Sequence, residues 1–458
     1  MHLKRVEFHR FRCFKKIEID LHPRLTVLVA ENGGGKTAVL DGIALGLSPI
    51  LRFLSTADQR INGPGFADKD FHLMPFYDTL SLFDEEPVYR MERLITSDYS
   101  QVLIETTDGL TWDNWRAAKK GAQPEKKIGQ TNLSPYALRI LETKPDVKPE
   151  ALPVFAYYGA RRGWIEIPER LRPTTINYSH PNSALVGALD ALSDFKEMLK
   201  WFDYEEANEL RANKGRTHAE YVMSPILKEV RDALATILHD KFKNPHFNDK
   251  HKFVVERSGA NDLLQISQLS QGYQSMLALG MDFARRLALA NQYFAKEQVP
   301  RFAKAIMLVD EIDLHLHPSW QQRVLNDLME AFPETQFIVT THSPQVLTAI
   351  RKENIRVLTC DDKGDWKAEI PTCNPYAHAS MLPLEAIMNT DAYPPCLLTN
   401  DLREYQRLVG DDQHDSFRAL ELRAKLEKEW GKQDIEIQLM DIAIRKNETL
   451  RKLRKRDN

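Results

Sequence analysis

The stretch Leu25 to Leu47, LTVLVAENGGGKTAVLDGIALGL, constrains this chain more than any other. Residues 25–30 are a short apolar run with β-branched members, and residues 37–47 have the apolar spacing of a buried helix. The order is therefore strand, glycine loop, helix. Gly33, Gly34 and Gly35 let successive backbone N–H groups turn inward with no Cβ in the way, and the helix adds its own free N–H groups and dipole. Asn32 lies in the same loop, Lys36 would reach the β- and γ-phosphates of a nucleotide, and the Thr37 hydroxyl would ligate Mg2+. Against the pattern G-x-x-x-x-G-K-[ST], Ala30 stands where the first glycine is usual; it is small, and the position needs only a φ that alanine can adopt. The competing reading is an ordinary strand-to-helix turn.

Two apolar runs further along end in groups suited to the same chemistry. AKAIMLVDE, residues 303–311, reads as a buried strand delivering two acids to its C-terminal edge, where Asp310 would help to hold Mg2+ and Glu311 would polarise an attacking water. QFIVTTHS, residues 336–343, is a second such strand, and His342 would donate a hydrogen bond to a γ-phosphate. Between loop and acids stands LSQGYQ, residues 269–274, before the apolar stretch MLALGMDFARRLALA. Ser270 and Gly272 then fall at a helix N-terminus suited to phosphate, although a serine there reads by itself as an N-cap.

Taken together, these motifs resemble the ABC-type ATPases of the SMC and RecF kind, over residues 1–50 and 265–360. The resemblance implies an α/β fold: a P-loop ATPase head with a mixed sheet and flanking helices, a helical insertion and a helical C-terminal region. It implies ATP and Mg2+ as ligands, Lys36 and Thr37 as the loop lysine and metal hydroxyl, Asp310 as metal-site acid and Glu311 as general base. It further implies Ser270 and Gly272 as a signature acting on the ATP of a second protomer, Asp313 as the acid of the loop after the acid pair, and His342 as the switch histidine. A homodimer or higher homo-oligomer follows. The opening LKRVEFHRFRCFKKIEIDL looks like the first hairpin of that group, with Arg12 a contact for bound nucleotide. Gln271 stands where a small residue is usual and Tyr273 where a polar one is, so slow turnover is expected. The lobe-linking glutamine finds no assignment.

The motifs suggest four regions: ATPase lobe I over 1–165, the helical insertion over 166–255, lobe II over 256–375 and a helical, partner-binding region over 376–458. Residues 51–150 read as loop-rich, with a hairpin at TTDGLTW and an exposed loop at KKGAQPEKKIGQ. PVFAYYGARR, residues 153–162, reads as a strand ending in two arginines that face either a phosphate or solvent. Residues 183–240 read as largely helical and too short for the long arms of an SMC protein. His315 and His317 suit packing and dimer contact rather than a metal, and Asp361–Asp365 suits a polar β-turn rather than a nuclease cluster. The tail reads as helices; between Asp441 and Asn458, seven Lys or Arg against three acids give +4, suited to a phosphate backbone, an acidic partner or a solvated helix end.

The whole chain carries 62 bases against 65 acids, a net −3, so any nucleic-acid surface must be local. Four scattered cysteines form no C-x-x-C pair, no apolar run suits a bilayer, and MHLKRVEFHRF lacks a signal-peptide core; a soluble cytoplasmic protein with no membrane partner is expected. The layout, including LPLEAIMNTDAYPP after the ATPase motifs, resembles the PtuA ATPases of Septu-type anti-phage systems, some of them retron-linked. That resemblance implies control of a PtuB-like HNH nuclease. The rival is a RecF-like repair ATPase that binds DNA with no nuclease; a transporter ATPase subunit is disfavoured by the RecF-like start and by EIDLHLHP.

Overall fold

The computed structural model describes residues 1–80, 88–141, 151–160, 176–191, 195–260, 262–292 and 303–454. They form two compact units, Met1–Met388 and Asn389–Asn458. In chain order the first unit opens with β1 (Leu3–Phe11), β2 (Phe14–Asp20), β3 (Leu25–Val29), α1 (Lys36–Phe53), β4 (Leu73–Leu80), β5 (Val88–Thr96), β6 (Tyr99–Thr106), β7 (Thr111–Ala117), α2 (Leu133–Leu141) and β8 (Val154–Tyr158). It continues with α3 (Phe195–Ala212), α4 (Pro225–Leu238), β9 (Phe242–Phe247), β10 (Phe253–Arg257), β11 (Leu263–Gln265) and α5 (Gln271–Ala290). It ends with β12 (Ala305–Val309), α6 (Pro318–Gln321), α7 (Val324–Ala331), β13 (Thr335–Thr340), α8 (Pro344–Thr348), β14 (Ile355–Cys360), β15 (Trp366–Glu369) and α9 (Met381–Ala386). The second unit holds α10 (Leu397–Gly410), α11 (Phe417–Trp430) and α12 (Ile435–Arg454).

A six-stranded sheet in the order β15-β14-β3-β13-β12-β8 organises the first unit. Its strands are parallel except for β15. Every residue of β3, β8, β12 and β13 is buried, which is why LTVLV, VFAYY, AIMLV and most of TQFIVT are apolar without alternation. Val309 pairs with both Val339 and Tyr158, so three strands end almost level and release their next residues at one edge. A second sheet, β2-β1-β6-β7, is antiparallel and lies against α1, where Trp112 Nε1 donates to the Gly46 carbonyl at 2.7 Å.

α5 is buried over most of its length. At its middle Asp282 accepts from Arg285 Nη2 and Arg286 Nε, both at 2.7 Å, and from the Tyr158 hydroxyl at 2.9 Å. Burial alone would raise the Asp282 pKa, but Arg286 and Arg285 outweigh it and hold the carboxyl well below the usual range. Arg286 Nη1 also donates to the carbonyls of Ala184 and Val186.

Several local expectations change. The stretch expected to be loop-rich, 51–150, carries four strands and a helix among its described residues; β6 pairs with β1, about a hundred residues earlier, a partner that local pattern cannot reveal. The hairpin at TTDGLTW joins β6 to β7. The KKGAQPEKKIGQ loop exposes its lysines yet is pinned to the sheet: the Lys126 carbonyl accepts from Gln101 Nε2 and Gly129 N donates to Asp113 Oδ1, each at 2.6 Å. Residues 184–191, expected as helix, fold as the end of a 3-10 turn at Pro181–Leu185 followed by turns, with Gly187 at φ +62°; the next helix among the described residues is α3. Residues 242–265 form a three-stranded sheet, β11-β10-β9. Asp361–Asp365 is a turn between β14 and β15, with the Asp361 carboxylate accepting from the N–H groups of Lys363 and Asp365. Arg161 and Arg162 lie outside the described residues.

In the second unit Leu402, Tyr405, Val409, Ala419, Leu422, Leu426 and Ile437 make a small core. Ser416 Oγ caps α11 by accepting from Ala419 N at 3.2 Å. No helix among the described residues is long and apolar enough to cross a membrane.

Candidate nucleotide site

The loop after β3 takes the shape its glycines allow. Gly33 and Gly35 have φ of +80° and +78°, and Gly35 is the N-cap of α1 without a side-chain cap. A Cβ on Gly35 would come 2.5 Å from the Phe14 ring, so the β1–β2 hairpin tip closes directly on the loop. Lys36 is 6% exposed and folds back into the loop, its ammonium donating to the carbonyls of Ala30 at 2.8 Å and Glu31 at 3.0 Å. Burial holds its pKa below the ordinary lysine value, with Asp310, Glu311 and Asp313 opposing the shift. Ala30 thus supplies a carbonyl, which any residue has; glycine is not needed for that.

Across the edge the acid pair joins the same network. Thr37 Oγ1 donates to Asp310 Oδ2 at 2.9 Å, Thr340 Oγ1 donates to Asp310 Oδ1 at 2.6 Å, and Glu311 N donates to Thr340 Oγ1 at 2.7 Å. Asp313 Oδ1 accepts from Thr341 Oγ1 at 2.6 Å and from His342 N at 3.2 Å. Glu311 and His315 have φ of +49° and +63°. Such non-glycine backbones cost about 1–2 kcal/mol each and persist where the surroundings impose them.

The structure therefore brings Lys36, Thr37, Asp310, Glu311, Asp313 and His342 to one edge, with Asn32 and Gly33 exposed and Gly34 half-buried in the loop beside them. Thr340, which sequence reasoning passed over, is the link between the two acids; the paired threonines ending TQFIVTT were its only signal. Ser270 is exposed at the N-cap of α5 with its hydroxyl making no cap bond, and Gly272 is buried, a Cβ there falling 2.7 Å from the His315 carbonyl. Arg12 stands apart from the lysine network. Its guanidinium donates to Asp41 at 2.7 Å and Asp70 at 2.8 Å; burial works against its charge, but Asp41 and then Asp70 outweigh that and raise its pKa. Asp41 lies one turn along α1 from Thr37, and with Arg12, Asp70 and Tyr157 it lines a cavity of about 510 Å3. His317 begins α6, its Nδ1 accepting from Ser319 N, and no metal-binding cluster occurs among the described residues. β8 ends at Tyr158, whose carbonyl accepts from the Asp310 N–H.

A family model described as an AAA domain matches residues 5–242, and the chain belongs to that family. A second AAA-domain model, whose description also names the AbiEii toxin of a type IV toxin–antitoxin system, matches residues 189–348. The retron Vc95 probable ATPase of Vibrio cholerae serotype O1 biovar El Tor is 25% identical over 93% of this chain and 87% of its own length. The retron Ec83 probable ATPase of Escherichia coli is 28% identical over 96% and 86%. A Septu protein PtuA of Bacillus mycoides (strain KBAB4) is 37% identical over 22% of this chain and 13% of its own. Among solved structures, an SMC head bound to the C-terminal winged-helix domain of ScpA aligns with a TM-score of 0.41 at 16% identity, over 81% of this chain and 97% of that one. The chain is an ATPase related to those of retron and Septu defence systems.

Proposed function

We propose that this chain binds ATP with Mg2+ at the edge of β3, β12 and β13, hydrolyses it between two copies of itself, and thereby controls an HNH nuclease in anti-phage defence. The observation that carries the reading is the chain of hydrogen bonds from Thr37 through Asp310 and Thr340 to Glu311, which joins the glycine loop to the acid pair. Lys36 exchanges its two loop carbonyls for phosphate oxygens, and the loop and helix N–H groups take the rest. Thr37 and Asp310 suit Mg2+, which would neutralise charge on the β- and γ-phosphates. Glu311 polarises the attacking water and His342 donates to the γ-phosphate. The nucleoside extends toward the cavity that Arg12 lines. Ser270 and Gly272 complete the site of a second copy. Similarity to retron ATPases over nearly the whole chain favours defence over DNA repair. Residues 376–458 form the partner-binding region, the basic tail offers a surface for nucleic acid, and the protein works in the cytoplasm.

The test is co-expression with the HNH gene from the same locus. A co-purifying complex whose DNA cleavage changes with ATP, and is frozen in one state by Glu311→Gln, supports the reading. A chain that binds ATP but neither retains the nuclease nor alters its activity would remove the defence role and leave the repair alternative.

A further inference from the structure

Residues 311–316 carry Glu311 and Asp313 and include two left-handed residues, Glu311 and His315. A loop strained in that way keeps its shape only where its surroundings fix it. Three contacts do so. Asp313 binds Thr341 Oγ1 and His342 N, and the Cα of Gly272 lies close under the His315 carbonyl. The third contact is Gln321, the last residue of α6, to which the proposed reaction assigns nothing. Its Nε2 donates to the Leu316 carbonyl at 3.0 Å and reaches that of Asp313 at 3.4 Å, while its Oε1 accepts from Ser343 Oγ at 2.7 Å.

We propose that Gln321 is a positioning residue for hydrolysis. One side-chain amide ties the loop that carries Glu311 and Asp313 to the residue next to His342, so that base and histidine keep one register. The inference rests on the ATPase reading of the same site. An amide suits the task because it donates and accepts at once. A carboxylate keeps the acceptor and loses both donors, and it faces two carbonyl oxygens with nothing to give them. Gln321 itself touches no group that would meet nucleotide; it acts through the loop and Ser343.

Two measurements on Gln321→Glu and Gln321→Leu test this in the full-length protein. In steady-state ATPase assays, both variants should lose about tenfold or more in kcat, with KM for ATP within about twofold of parental and Tm unchanged, as expected for misplaced catalytic groups. In hydrogen exchange on the nucleotide-free protein, amides of 312–316 and of 341–343 should exchange faster together. Parental kcat in both variants, a kcat that falls only with Tm, or exchange that rises only over 318–323, would overturn the proposal. A parent that binds no ATP would instead sink the ATPase reading, and the exchange experiment alone would then decide whether Gln321 couples the two segments.

Discussion

α1 and α5 both begin with groups suited to a phosphate, and they begin differently. At α1 the loop closes on itself: Gly35 is left-handed and uncapped, and the Lys36 ammonium already occupies the loop through two carbonyls of its own chain. At α5 the serine takes no part in the closure, which comes from Gln274 Nε2 donating back to the Leu269 carbonyl. Ser270 is exposed and its hydroxyl bonds no amide of the helix it starts, while Ser416 at the head of α11 does the ordinary thing and caps Ala419. Neither N-terminus is capped by a side chain; at α1 the lysine fills the loop, whereas at α5 the serine hydroxyl is exposed and makes no cap bond.

The largest expected effect falls at the closed terminus. Lys36→Ala removes the cation facing the β- and γ-phosphates and should weaken ATP binding by about a hundredfold or more by titration calorimetry. Unchanged affinity would mean that α1 is no phosphate site and would end the comparison.

Next is Glu311→Gln, which keeps the shape of the side chain but cannot accept a proton. Turnover should fall by roughly 10²–10⁴ while ATP still binds, and light scattering with ATP should show a trapped dimer. Parental turnover would remove Glu311 from the base role.

Ser270→Arg then asks whether the open terminus works on another chain. The variant should bind ATP at near-parental affinity and hydrolyse it roughly a hundredfold more slowly, because a bulky charge blocks closure. Co-purified with Lys36→Ala, it should recover part of the lost activity, at most one competent site per mixed dimer. Parental activity of Ser270→Arg alone would reduce LSQGYQ to a helix start.

The smallest effect sharpens the contrast between serines. Ser416→Ala should cost about 1 kcal/mol of stability in its unit, the usual value of a lost N-cap. Ser270→Ala should leave the melting curve within about 0.5 kcal/mol of parental while lowering turnover. Equal stability losses would show that Ser270 caps α5 in solution.

Much of this was legible in the sequence where one element carries its own signal. Three glycines before Lys-Thr announced the loop, and strands buried on both faces announced themselves as AIMLV and QFIVT. The first hairpin and the tail helices were readable for the same local reason. What escaped depends on partners distant in the chain. Of β6 and β7 only the hairpin turn at TTDGLTW was readable; the extent of both strands depends on β1, which completes their sheet. ALVGALDAL has helical apolar spacing, yet its carbonyls at Ala184 and Val186 serve Arg286, about a hundred residues on. The linking role of Thr340 became visible only with the strand order in hand.

The buried charge at the middle of α5 has a mechanical consequence. Asp282, gripped by Arg285, Arg286 and Tyr158, pins the middle of α5 to the end of β8. From it to Ser270 is twelve residues, an arm of about 18 Å at the rise of an α-helix. A tilt of only about 5° about that pin would move the tip by roughly 1.5 Å, half the length of a hydrogen bond. Tyr158 ends β8 beside Asp310, so the residue that holds α5 through its hydroxyl also meets the acid pair through its carbonyl.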